Sequence, residues 1–199
     1  MSDVLPSKKF LQLIEVLFDV SATVVREFAN CKVIRLPEYS NSFIKFLDLN
    51  KHKLYHKWEN DTPCCHCNNF KNLPHEMTST KFYMLYQKIS DRPIECIKRK
   101  GVVMKNGCIK QYCICNIIPQ QMITLDDMDI SMLAFLLRNS NLTESQVKCI
   151  DNLTELRNIL CHARSTFSFP DVKLENVKTR LLYYTRKLAR MSIRNIIHQ

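Results

Sequence analysis

Two glycines in 199 residues, Gly101 and Gly107, narrow what this chain can fold into more than any other feature. Tight turns between strands use positive φ angles, which glycine adopts with least strain. A chain built mainly of strands needs many such turns, so this composition points to helices. The same scarcity leaves no glycine-rich phosphate loop and no dinucleotide fingerprint, which excludes those nucleotide-binding classes. With 46% hydrophobic residues the chain is not disordered by composition. Its length suits one domain of ordinary size, or one domain carrying a sizeable insertion.

The apolar residues recur with helical period in several stretches. From about Lys8 to Asn30, Phe10, Leu13, Ile14, Leu17, Phe18, Val24 and Val25 fall near i, i+3, i+4 spacing. Pro37 breaks that pattern, and a second helix is expected after Ser40 or Ser42, through Phe43, Phe46 and Leu47 toward Trp58. Thr124 is expected to cap a helix reaching Leu137, with Asp126 and Asp127 in its first turn. Thr143, with Gln146 three residues on, forms a capping box that opens a helix to about Ala163. A long last helix follows Pro170-Asp171 and reaches Ile197.

Between Asp61 and Pro119 the character changes. Prolines stand at 63, 74, 93 and 119, both glycines lie here, and so do Cys64, Cys65, Cys67, Cys96, Cys108, Cys113 and Cys115. A short helix is expected over Lys81–Ile89, and a hairpin at Lys105-Asn106-Gly107, since Asn-Gly suits hairpin turns. Trp58 reads as core at the edge of this region. The expectation is therefore a single domain over 1–199, all-α, with an irregular cysteine-rich insertion at about 59–120.

The net charge is +10, and its distribution says more than its size. Residues 81–110 hold eight Lys/Arg against two acids, and residues 171–199 hold seven against two. Residues 124–155 hold two against six. Two concentrated basic segments point to a polyanionic partner, bound through phosphate contacts and counterion release. No stretch approaches 18 apolar residues, so no membrane span is expected. Gln12 and Glu15 interrupt what would be the apolar part of a secretion signal after Lys8 and Lys9. The chain reads as cytoplasmic or nuclear, where cysteines stay reduced or bind metal.

Laid on a helical wheel at roughly 100° per residue, the segment from Thr143 gathers Leu153, Leu156, Leu160 and Ala163 on one side. Arg157, Asn158, Cys161 and His162 gather on the other, with Asp151 and Thr154 above them. Asn158 and His162 are four apart, hence neighbours on one face. Arginine, asparagine and histidine together suit RNA, which carries its own nucleophile in the 2′-hydroxyl. Histidine titrates near neutrality and moves protons to and from oxygen. Arginine holds a phosphate and offsets the charge that grows on it. A solvated helix face is the plainer reading of the same residues.

The run from Leu125 to Leu188 resembles a HEPN domain (higher eukaryotes and prokaryotes nucleotide-binding). The resemblance rests on Asp129-Ile130-Ser131-Met132-Leu133, Leu136-Leu137-Arg138-Asn139, the Arg157-Asn158 … His162-Ala163 step, and Tyr183-Tyr184 in the last helix. It is nearest to the branch found in an animal DAZ-interacting RNA-binding RING ubiquitin ligase and in many invertebrate proteins. The chain lacks a RING-type ligand array, so ligase activity is not implied. The resemblance implies an antiparallel helical bundle, usually a homodimer, with the motif lining a cleft at the two-fold axis. It also implies RNA as partner and metal-independent endoribonuclease chemistry leaving a 2′,3′-cyclic phosphate. Arg157, Asn158 and His162 would be the catalytic residues. The alternative is a non-catalytic RNA- or protein-interaction module in innate defence or RNA regulation.

Cys64-Cys65-His66-Cys67 and Cys113-Ile114-Cys115 are two clusters of soft ligands. Structural zinc wants four thiolate or imidazole ligands, commonly as two close pairs brought together by the fold. Cys64 with Cys67, and Cys113 with Cys115, form the expected set for about one zinc per chain. Cys65, His66, Cys96 and Cys108 are credible substitutes, and His52 and His56 lie upstream at i, i+4 spacing. A third reading follows, in which the cysteine-rich region itself is a zinc-dependent adaptor.

Overall fold

A computed structural model describes residues 8–67, 75–89, 104–105, 108–109, 113–163 and 170–193. The fold is mostly helical, and the chain divides into two compact units. One comprises Met1–Asn41 and Leu125–Gln199, the other Ser42–Thr124. The second unit thus begins upstream of residue 59 and takes in the helix that ends at Trp58.

In the first unit the N-terminal helix is a single right-handed path made of four pieces. These are α1 (Lys8–Glu15), a π-helical stretch (Val16–Ser21), α2 (Ala22–Ala29) and a second π-helical stretch (Asn30–Ile34). It therefore runs four residues past the expected end at Asn30. Each wide π turn inserts a residue and rephases the helix. Leu13, Leu17, Val25, Phe28, Val33 and Ile34 all stay buried as a result.

The charged residues before Met128 do not start a helix at Thr124. Leu125–Asp127 forms one 3₁₀ turn, and α5 (Ile130–Arg138) begins behind Asp129, whose carboxylate accepts the Met132 N–H at 2.7 Å. Asp129 lies next to the apolar run, so its cap starts the helix where burial starts. Every residue of α5 but Ser131 and Arg138 is buried.

α6 (Glu144–Cys161) opens with the expected capping box, Thr143 and Gln146 bonding reciprocally. α7 (Asp171–Ile193) buries Leu174, Val177, Leu181, Thr185, Leu188 and Ser192, a clean three-and-four spacing. Helix packing joins α2 to α5, α5 to α6, α6 to α7 and α7 back to α2. The buried Ser21 and Thr185 hydroxyls meet at 2.9 Å across the α1–α2 path and α7.

The second unit holds α3 (Phe43–Trp58), capped by Ser42, and α4 (Ser79–Leu85), capped by Thr78. The helix expected over Lys81–Ile89 stops at Leu85. Tyr86–Lys88 is instead strand β1, antiparallel to β4 (Ile117–Pro119). Tyr86 is fully buried, and its hydroxyl donates to the Leu47 carbonyl at 2.7 Å, which fixes the switch from helix to strand. The second strand pair, β2 (Met104–Lys105) and β3 (Cys108–Ile109), aligns Lys105 with Cys108, leaving Asn106-Gly107 as the connection. The pairing is that of the expected hairpin; the two turn residues lie outside the described residues. The fold stays mostly helical, and the described residues of this unit add two short strand pairs. Trp58 stacks on Phe82 with ring centroids 4.3 Å apart, and Phe82 stacks on Tyr86 at 4.9 Å, so Trp58 belongs to an aromatic core.

Candidate functional site

Both units carry chemistry-bearing side chains. In the first unit, α6 turns its leucines inward and leaves Asn158, Cys161 and His162 exposed, with Arg157 half-buried. The helix ends at Cys161, and His162 is its C-cap, donating its N–H to the Asn158 carbonyl at 3.0 Å. Arg157 reaches Asn158 Oδ1 and Asp129 Oδ2, each at 3.2 Å. Its Nε is buried and has no hydrogen-bond partner among the described residues.

Asp129 therefore serves two elements at once. One carboxylate oxygen caps α5 and the other holds the guanidinium. This partner does not stand out in sequence, because an acidic N-cap 28 residues upstream has no spacing rule linking it to Arg157. Asp151 is taken up elsewhere, by Arg138 at 2.6 Å.

Beyond α6, one stripe of α7 is rich in cations. Thr179, Leu182, Tyr183, Arg186, Lys187, Arg190 and Met191 line a surface groove of about 640 Å³. Arg186, Lys187 and Arg190 form no ion pair among the described residues, and Tyr183 is exposed. By contrast Arg180, on the same helix, is paired with Glu155 at 3.1 Å.

In the second unit, two histidines of α3 meet the first cysteine cluster. His52 and His56 lie four apart and so share a face, their rings 5.1 Å apart edge to face. The ligand atoms of His52, His56, Cys64 and Cys67 all lie within 4.8 Å of one another, so these four residues can hold a metal ion. His56 Nε2 is 3.1 Å from Cys67 Sγ, His52 Nε2 is 3.4 Å from it, and the Cys64 and Cys67 sulfurs are 3.8 Å apart. His56 Nδ1 sits 3.1 Å from the Glu59 carbonyl. A proton on Nδ1 donates there and leaves the Nε2 lone pair facing the thiols, the orientation a ligating histidine needs. The Cys64 and His66 N–H groups donate to Cys67 Sγ and Cys64 Sγ, both at 3.4 Å.

The second cysteine cluster goes to a different place. Cys65 Sγ lies 3.7 Å from Cys115 Sγ and 4.0 Å from Cys113 Sγ, and Cys115 Sγ lies 3.7 Å from His66 Nε2. Of the four cysteines expected to share one ion, Cys64 and Cys67 come together, and Cys113 and Cys115 approach Cys65 and His66. No disulfide joins the described cysteines. Cys96 and Cys108 lie outside the described side chains. The i, i+4 spacing of His52 and His56 is legible in the sequence, while their convergence with Cys64 and Cys67 follows only from the fold.

Burial governs the titration of this cluster. It pushes the Cys64 thiol up to about 12, and it lowers both histidines, with the neighbouring His52 lowering His56 further. These directions favour the uncharged Cys64 thiol and neutral imidazoles until a cation displaces the Cys64 proton.

Among the described residues no helix is long and apolar enough to cross a membrane. Comparison with known proteins finds no matching family model, no similar curated protein and no similar solved structure.

Proposed function

We propose that this chain is an RNA-directed module of HEPN-like architecture, working as a metal-independent endoribonuclease in the cytoplasm. The observation that carries the reading is the placement of Arg157. Its guanidinium is held by Asp129 and Asn158 on the outer face of α6, and His162 is exposed at the end of the same helix. The sequence resemblance over Leu125–Leu188 supports it, as does the basic stripe of α7.

In this reading Arg186, Lys187 and Arg190 contact the RNA backbone, and exposed Tyr183 offers a ring for base stacking. A phosphate displaces Asp129 from Arg157, which then stabilises the negative charge on the non-bridging oxygens. One imidazole removes the 2′-hydroxyl proton. The 2′-oxygen attacks phosphorus, the bond from phosphorus to the 5′-oxygen breaks, and a second imidazole returns a proton to that leaving oxygen. Products are a 2′,3′-cyclic phosphate and a free 5′-hydroxyl. One chain supplies one His162, so two copies across a dimer cleft supply base and acid. The ion held by the second unit is structural zinc, since buried thiolates with imidazoles suit that metal and close it to substrate.

A second reading, RNA binding without cleavage, is favoured by the same ion pair. Arg157 is only 24% exposed and already neutralised by Asp129. The two are separated by incubating the purified chain with single-stranded RNA in EDTA, with bound zinc counted afterwards. Cleavage to cyclic-phosphate ends, reduced about 100-fold or more in His162→Ala, is expected for the enzyme. RNA held uncut, with affinity falling steeply in salt, establishes the binding module. Equal cleavage by His162→Ala removes the catalytic assignment, and no interaction with RNA removes both readings.

A further inference from the structure

The second unit supplies more ligands than one ion can use, and the way they divide is informative. In Cys64-Cys65-His66-Cys67 every position is a metal-binding type. The Cys67 N–H donates to the Cys64 carbonyl at 3.0 Å, closing a turn over these four residues. The ends of such a turn approach each other while its two central residues form the tip. Cys64 and Cys67 accordingly converge toward His52 and His56. Cys65 and His66, at the tip, meet Cys115.

We infer that the chain holds two metal ions, one bound by His52, His56, Cys64 and Cys67, the other by Cys65, His66, Cys113 and Cys115. The proposal rests on reading the Cys/His cluster as a zinc site, and is independent of RNA.

The distances fit a tetrahedron in the first group; in the second they bring Cys65, His66 and Cys115 together, with Cys113 4.0 Å from Cys65 as the fourth ligand we assign. With zinc–sulfur bonds near 2.3 Å and zinc–nitrogen bonds near 2.05 Å, tetrahedral ligands stand about 3.8 Å apart for two sulfurs and about 3.5 Å for sulfur and nitrogen. In the first group the sulfurs are 3.8 Å apart, and the nitrogens lie 3.1 and 3.4 Å from Cys67 Sγ. In the second, Cys65 lies 3.7 Å from Cys115 and 4.0 Å from Cys113, and His66 Nε2 lies 3.7 Å from Cys115. Directly bonded sulfurs would stand near 2.05 Å, so none of these sulfur pairs is a disulfide.

The surroundings of the second group match those of the first. Cys65 is 3% exposed, and the Ile114 N–H, between the two C-x-C thiols, donates to Cys65 Sγ at 3.4 Å. Amide donors to sulfur stabilise thiolate in a buried site. The His52 and His66 rings, one from each group, are 6.1 Å apart, so the ions would be close neighbours without a shared ligand. Four thiols and imidazoles saturate a structural zinc, which leaves each site closed.

The test is metal stoichiometry and coordination of the full chain, purified reduced and without chelator. Native mass spectrometry and elemental analysis are expected to give two zinc ions per chain. X-ray absorption at the zinc edge is expected to give about 2.5 sulfur and 1.5 nitrogen ligands per ion, from five cysteines and three histidines shared by two sites. Cys67→Ser and Cys113→Ser are each expected to drop the count from two to one. Where a variant unfolds and loses both, the wild-type coordination numbers decide. One zinc with four sulfurs overturns the division while leaving a zinc site in place. No zinc in folded protein overturns both. Two ions retained in Cys113→Ser, with unchanged coordination, removes Cys113 from the second site.

Discussion

In the first unit, α7 alone sends Leu174, Val177, Leu181 and Leu188 into the interior, and α5 is buried almost throughout. In the second, the described segments 59–67 and 113–124 contain no helix, and what converges there is Cys64, Cys65, His66, Cys67, Cys113 and Cys115. Its regular part keeps an aromatic core of Tyr55, Trp58, Phe82 and Tyr86. Periodic apolar faces stabilise by area and need nothing from outside the chain. Irregular backbone buries little area per residue, and in the proposed reading it is ordered by side chains that converge on metal ions. If the clusters bind metal as proposed, the first unit makes its order alone and the second makes part of its order with a cation.

Removing the metal should break this symmetry most strongly. Structural zinc contributes on the order of 10–16 kcal/mol to small sites at neutral pH. A strong chelator is therefore expected to abolish amide-exchange protection across the segments around Cys64–Cys67 and Ile114–Pro119, while α2, α6 and α7 keep theirs. Loss spread evenly over both units would show that the first also depends on the ion. Full retention in metal-free protein would end the metal reading.

The converse perturbation is smaller. Leu181 is fully buried in the first unit, and Leu181→Ala should cost roughly 2–5 kcal/mol there, seen as a lower denaturation midpoint. Bound zinc should be unchanged. A drop in zinc content would mean that the two units are not thermodynamically separate.

Acid distinguishes them next. Burial lowers His52 and His56 below the ordinary histidine value, so the folded second unit binds fewer protons than its unfolded chain. Stability then rises with pH, and is lost as pH falls through about 6.5, where the unfolded histidines begin to charge. Proton competition for thiolate acts in the same direction once metal is bound. Denaturation from pH 8 down to about 5 should weaken the second unit first. Equal slopes for both units would contradict the placing of His56 in a buried site with His52 partly shielded beside it.

The same contrast explains what was readable in the sequence. Apolar period and the Thr143–Gln146 box marked α6 because both are local signals. The wide turns at Val16–Ser21 and Asn30–Ile34 left no comparable trace, since rephasing answers to the core it packs against. Asp129 was visible as an acid near a helix start, yet its bond to Arg157 joins residues that only folding brings together. Among the candidate metal ligands, residue type was plain and grouping was not. Grouping depends on a turn that splits four adjacent residues two and two, and on α3 delivering His52 and His56.

Helix caps give the finest version of the comparison. Thr143 caps α6 in the first unit, and Ser42 caps α3 in the second by accepting the Lys45 N–H at 3.2 Å. Replacing either by alanine should cost about 1 kcal/mol. In Thr143→Ala that cost appears directly as reduced stability, with zinc affinity unchanged. In Ser42→Ala the helix being weakened also carries two of the proposed ligands, so in that reading folding and binding share one free energy. There the same cost should appear as about fivefold weaker apparent zinc affinity, read by competition with a calibrated chelator. If Ser42→Ala leaves zinc affinity untouched, α3 forms before and without the ion, and His52 and His56 are presented rather than gathered. That outcome would move α3 from the metal-dependent part of the molecule to the part that orders itself.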